Sequence, residues 1–167
     1  MRYLIDGYNL LFRIAKPGRA LEKKREALIA ELNQVIDDFK LKATVVFDGS
    51  HPGISHAMRH HFAALEIIYT YQNLSADEYI IEEVNSARRP EEIIVITSDR
   101  GLAQTCKTLG AKTQSIETFI SSLKKKTIKK KKRQREARPE TAFKDSNAEI
   151  NRLLAIFEKK LNEDLSL

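Results

Sequence analysis

Apolar residues along this chain fall into short, mostly apolar runs, separated by longer stretches in which they recur at helical spacing. Arg2-Tyr3-Leu4-Ile5, Ala43-Thr44-Val45-Val46-Phe47, Leu65-Glu66-Ile67-Ile68-Tyr69 and Ile93-Ile94-Val95-Ile96 are each four or five residues long. They are too short for helices and apolar enough for parallel strands buried on both faces. Between the first two, Leu21, Leu28, Leu32, Val35, Ile36 and Phe39 share one helical face, which predicts a helix over 21–39. Ser75 and Glu78 have the spacing of a capping box and open a helix that runs to about Ser86. A helix over 100–109 stops at Gly110, a natural C-terminal cap. Residues 112–115 predict a short fifth strand and 116–123 one more helix, while 50–61, with His51, His56, His60 and His61, read as a loop or helix. Strands alternating with helices predict an α/β fold, a parallel sheet covered on both faces and joined by right-handed crossovers.

Length and charge sharpen this picture. The chain has 167 residues, enough for one domain and an appendage. Its net charge of +6 is concentrated: residues 124–138 hold seven Lys and three Arg against one Glu, or +9. We read 1–123 as the main domain, 124–146 as a basic linker and 147–167 as an amphipathic helix with Ile150, Leu153, Leu154, Phe157 and Leu161 on one stripe. The basic run, including Lys129, Lys130, Lys131, Lys132 and Arg133, is a handle for a polyanion. It has no aromatic for stacking, so it would bind RNA or a ribosome without regard to sequence. Arg13, Lys16 and Arg19 follow the first strand and are candidates for gripping RNA phosphates. The lone Cys106 excludes an internal disulfide and suits a buried thiol. No apolar run approaches the roughly 20 residues of a membrane span, and the N-terminal residues do not resemble a signal peptide, so the expected location is cytoplasmic.

The candidate chemistry lies where the strands end. Asp6, Asp48 and Asp99 follow the first, second and fourth strands, and Asp77 opens the helix after the third. In an open α/β sheet a ligand binds outside the carboxyl ends of the strands, where the strand order reverses. Carboxylates delivered there repel one another, and hard oxygen donors of this kind suit Mg²⁺ or Mn²⁺. Such a site fits phosphodiester cleavage. Each Asp taken singly also suits a turn or a helix N-cap.

The wording of these blocks adds to the spacing. Asp6-Gly7-Tyr8-Asn9-Leu10, Val45-Val46-Phe47-Asp48-Gly49, Ser75-Ala76-Asp77-Glu78 and Thr97-Ser98-Asp99, in that order, resemble the NYN domains, and among them the YacP-like branch. The resemblance covers about residues 1–123. It implies a PIN-like three-layer fold with sheet order 3-2-1-4-5, metal-dependent endoribonuclease activity and, for this branch, mRNA cleavage associated with the ribosome. Carried over residue by residue, it makes Asp6, Asp77 and Asp99 the metal ligands. Asn9 then contacts a metal-bound water or a phosphate oxygen, and Asp48 stands behind the ligands or joins them. Thr97 and Ser98 hold the metal waters or the scissile phosphate. Many PIN-like nucleases add an acid from the helix after strand one, where this chain has Glu22, Glu26 and Glu31.

Other classes fit less well. A binding protein on a PIN-like scaffold, tethered to RNA or ribosomes by its tail, is the main alternative. A phosphatase would want a second Asp two residues after Asp6, where Tyr8 stands, and a dinucleotide enzyme would want G-x-G-x-x-G after strand one.

Overall fold

The computed structural model describes residues 1–14, 21–49, 58–62, 64–71 and 73–137. The strands are β1 (Arg2–Asp6), β2 (Ala43–Phe47), β3 (Met58–Phe62), β4 (Leu65–Tyr69), β5 (Ile93–Ile96) and β6 (Lys112–Gln114). The helices are α1 (Gly7–Ile14), α2 (Leu21–Asp38), α3 (Ala76–Asn85), α4 (Arg100–Thr108) and α5 (Ile116–Ala137). One sheet runs β3-β4-β2-β1-β5-β6. Five of its strands are parallel and stand in the expected 3-2-1-4-5 order.

The sixth strand is a correction to the sequence reading. Residues 58–62 form β3, antiparallel to β4 at the sheet edge, with His60 opposite Ile67 and His61 opposite Glu66. An edge strand needs an apolar face on one side only, so Met58-Arg59-His60-His61-Phe62 carries a weaker pattern than a central strand. His60 therefore lies on a strand, not on a helix shared with His56; His51 and His56 fall outside the described residues. Sequence periodicity also missed α1, which starts directly at the end of β1.

Pleat alternation sorts the side chains. Leu4, Val46, Ile68 and Val95 pack with Ala76, Tyr79, Ile80, Leu102 and Cys106, so one face of the sheet buries α3 and α4. Phe47 points the other way, toward α1. There Leu28, Leu32, Val35 and Ile36 bury the apolar stripe of α2. The capping box predicted from Ser75 and Glu78 is present at α3, and Gly110 follows α4 with φ +95°. In that left-handed region a Cβ would be strained, which is why glycine ends the helix.

The chain separates into two compact units, Met1–Ile116 and Glu117–Leu167. The helix expected over 116–123 continues as α5 to Ala137, so the described part of the basic stretch is helical and no break falls at residue 123. Along α5, Ile116, Phe119, Ile120, Leu123 and Thr127 are buried and fall on one face. Residues 138–146 of the expected linker and the amphipathic helix expected over 147–167 lie outside the described residues. No helix among the described residues is long and apolar enough to cross a membrane.

Candidate active site

Asp6 is the last residue of β1 and only 7% exposed. Two residues after Leu4, it emerges on the α3 and α4 face of the sheet. Its neighbours across the sheet are β2 on one side and β5 on the other. Chain connections leave β1 and β5 in opposite directions, so Asp6 stands at the point where the strand order reverses.

Each strand-ending carboxylate also organises the helix beside it. Asp6 Oδ1 accepts from Asn9 N–H at 3.0 Å in the first turn of α1. Asp99 caps α4, accepting from Leu102 N–H at 2.8 Å. Asp48 Oδ1 accepts from the N–H of Ala76, the first residue of α3, at 2.7 Å. Capping and site formation are therefore the same arrangement here. Three helix N-termini, each with a positive dipole end, meet the carboxylates at one edge of the sheet.

Polar neighbours tie these ends together. Thr97 Oγ1 donates to Asp6 Oδ2 at 3.3 Å and accepts from Asp99 N–H at 3.0 Å. Asn9 Oδ1 accepts from Ser98 N–H at 2.9 Å, which fastens α1 to the β5 end. Ser98 Oγ accepts from Ile116 N–H at 3.4 Å. Gly49 N–H donates to Thr70 Oγ1 at 3.0 Å, and a Cβ on Gly49 would lie 1.5 Å from the Thr70 carbonyl oxygen. Only glycine lets the chain leave β2 there. At Gly7 a Cβ would meet the Phe47 ring at 2.5 Å, so glycine also sets how closely α1 approaches β2.

Electrostatics shows the crowding. Burial, followed by the charges of Asp77 and Asp48, pushes the Asp6 carboxyl up from 3.8 to about 6, although the Asn9 and Thr97 hydrogen bonds pull it down. Asp77 is raised by burial and then by Asp99, Asp48 and Glu78. Cys106, buried beneath this edge, is pushed up to about 11 by burial and by Asp77. The structure thus brings Asp77 and Asp48 close enough to raise Asp6, and Asp99 and Asp48 close enough to raise Asp77. As placed, no three His, Cys, Asp or Glu among the described residues form a preformed metal cluster. The donor chemistry nevertheless fits a hard divalent ion, because these carboxylates repel one another and a cation relieves that repulsion. Mg²⁺ also keeps several of its own waters, so it does not need a closed protein cage.

Other sequence candidates stand elsewhere. Arg13 is exposed in the last turn of α1, and Lys16 and Arg19 lie outside the described residues. Lys129, Lys130, Lys131, Lys132 and Arg133 are all on α5. Of the helical acids, Glu22 lies 3.7 Å from Arg25, and none of Glu22, Glu26 and Glu31 is among the charges that raise Asp6 or Asp77. Sequence reasoning passed over Arg25 of α2, whose guanidinium donates to Tyr8 Oη at 3.1 Å and lies 5.1 Å from the centre of the Tyr69 ring, a placement visible only once the strands are paired.

A mostly parallel sheet with acids gathered at its carboxyl edge defines a PIN-like domain of the nuclease-like, RNA-related class. Within that class the chain belongs to the YacP-like NYN domain family, whose sequence model matches residues 3–162. The match therefore runs well beyond the 1–123 expected from the motifs. The fold is similar to two crystal structures of Rae1 (YacP) from Bacillus subtilis. One, of a tryptophan-to-leucine mutant, is 21% identical, with 99% of each chain covered and a TM-score of 0.61. The other is 20% identical, with 99% of this chain and 92% of that chain covered and a TM-score of 0.60. No curated protein sequence matches the chain.

Proposed function

We propose that this protein is a metal-dependent endoribonuclease that cuts mRNA in association with the ribosome, with Mg²⁺ or Mn²⁺ as cofactor. The observation that carries the reading is buried Asp6 at the reversal point of the sheet, raised to about 6 by burial and by the charges of Asp77 and Asp48, with Asp77 raised in turn by Asp99. Asp6, Asp77 and Asp99 would hold the metal, and Asp48 fixes the start of α3, from which Asp77 projects. The bound metal would activate a water and offset the charge that develops on the phosphate. Asn9, whose carbonyl oxygen is taken by Ser98, retains NH₂ donors suited to a phosphate oxygen. Thr97 holds Asp6 and the backbone of Asp99 in fixed relation. The ribosome part of the reading rests on the family resemblance and on the basic residues of α5, which suit a polyanion.

The test is cleavage of labelled mRNA by the wild type and by Asp6→Asn, with Mn²⁺ or EDTA, with and without translating ribosomes. Discrete cuts that need both metal and Asp6 are the expected result. No cuts under any condition, with RNA or ribosome binding intact, would replace this reading with that of a binding protein on a nuclease scaffold.

A further inference from the structure

Four side chains from four elements close a ring on the α1 and α2 side of the sheet. Tyr8 of α1 meets Phe47 of β2 edge-on, with centroids 5.2 Å apart. Phe47 stacks on Tyr69 of β4 at 5.8 Å. Arg25 of α2 joins the two ends, because it both donates to Tyr8 Oη and lies over the Tyr69 ring. Phe47 is fully buried, and Tyr8, Arg25 and Tyr69 are half-buried. No member of such a ring shifts without disturbing two others.

Ion pairing does not account for Arg25 in that ring. Its pair with Glu22 is long, at 3.7 Å, and Glu22 is 75% exposed, so water screens most of the attraction. Its Nε is buried with no hydrogen-bond acceptor among the described residues, which costs stability rather than adding to it. The Tyr8 contact, by contrast, leads to the carboxylate edge. Gly7, Tyr8 and Asn9 are consecutive in the first turn of α1. Asn9 N–H donates to Asp6 Oδ1 at 3.0 Å, and Asn9 Oδ1 accepts from Ser98 N–H at 2.9 Å. Consecutive helical residues point about 100° apart around the axis, so one turn reaches both sides of the sheet edge. Holding Tyr8 on the α2 side therefore fixes the rotation of α1 and the direction of Asn9.

We propose that Arg25 is a positioning residue: by holding Tyr8 it sets the first turn of α1 and keeps Asn9 bonded to Asp6 and to the end of β5. The inference deepens the endoribonuclease reading, on which only the cleavage arm of its test rests. Arg25→Met removes the donors and keeps apolar bulk. Tyr8→Phe removes the acceptor oxygen and keeps the ring against Phe47. These full-length variants and the double variant are compared with the wild type by hydrogen exchange of individual amides, read by NMR. Cleavage of a labelled RNA with Mn²⁺ follows, under the conditions in which the wild type cuts.

Each single variant is expected to speed exchange about tenfold at the Asn9 and Ser98 amides. The Leu102 amide, which donates to Asp99 at the start of α4, is expected to keep the wild-type rate. The double variant is expected to go no further than the singles, because both remove the same hydrogen bond. In cleavage, kcat is expected to fall about tenfold while KM for RNA is unchanged. If Arg25→Met lowers the melting temperature, Tyr8→Phe, the milder change, decides the matter. Unchanged exchange at Asn9 and Ser98, or a rise shared equally by Leu102, would overturn the proposal and leave Arg25 to packing. Selective exchange with an unchanged kcat would overturn it too. Selective exchange in the variants, together with a wild type that cuts no RNA under any condition, would instead leave Arg25 as the residue that positions Asn9 and remove the nuclease reading.

Discussion

Thr97 donates its hydroxyl to Asp6 Oδ2 at 3.3 Å, linking the end of β5 to the end of β1 across neighbouring parallel strands. Both residues are buried, so the bond forms where water does not compete for the carboxylate. It favours the ionised form of Asp6 and partly offsets the effect of burial. Replacing Thr97 by Val preserves the shape and removes the donor. The expected cost is about 1–3 kcal/mol of stability, with a further rise in the Asp6 pKa. The acid limb of a cleavage-rate profile should move to higher pH in Thr97→Val, and NMR titration of the Asp6 carboxyl should move with it.

Asp6 itself opposes folding at neutral pH. Its folded pKa of about 6 stands above the ordinary 3.8, so the folded state binds this proton more tightly than the unfolded one. That stabilisation is fully present below pH 3.8 and is lost as pH rises through about 6. Two pKa units correspond to about 3 kcal/mol. Asp6→Asn should therefore abolish cleavage while raising stability by about 1–3 kcal/mol at pH 7.5. Urea melts should show the gain at about pH 7.5 and little difference at about pH 3.5. Adding Mn²⁺ should stabilise the wild type and leave the variant nearly unmoved.

Asp48 joins the end of β2 to the start of α3 through Ala76 N–H. Asp48→Asn keeps an acceptor and removes a charge; Asp48→Ala removes both. If Asp48 positions α3, and with it Asp77, the Ala variant should lose about 1 kcal/mol and most activity, whereas Asn should retain the stability. Equal urea midpoints for the two variants would show that the charge, not the hydrogen bond, matters.

The basic residues of α5 predict a salt effect. Replacing Lys129, Lys130, Lys131, Lys132 and Arg133 by Gln should weaken RNA binding at low salt. It should also flatten the plot of log affinity against log salt by up to about 3 units for a single strand. Fluorescence anisotropy across a salt series measures this. An unchanged slope would mean these side chains do not meet the phosphates.

Local signals in the chain were enough for the five parallel strands, their alternation with helices, the cap at Ser75 and the acids at the strand ends. Each is a short-range pattern: a run of four apolar residues, a spacing of three, an Asp before a turn. The edge strand β3 was not legible, because Met58-Arg59-His60-His61-Phe62 needs only one covered face and so lacks a central strand's apolar run. Nor was the short α1, whose start depends on Asp6 accepting from Asn9 and on Gly7 fitting against Phe47. Three relationships came from the folded chain alone. Thr97 bridges Asp6 and Asp99, repulsion from Asp48 and Asp77 adds to burial in raising Asp6, and Arg25 of α2 sits between Tyr8 and Tyr69. Burial and charge coupling depend on distance in space, and parallel strand pairing brings together residues that lie tens of positions apart in the chain.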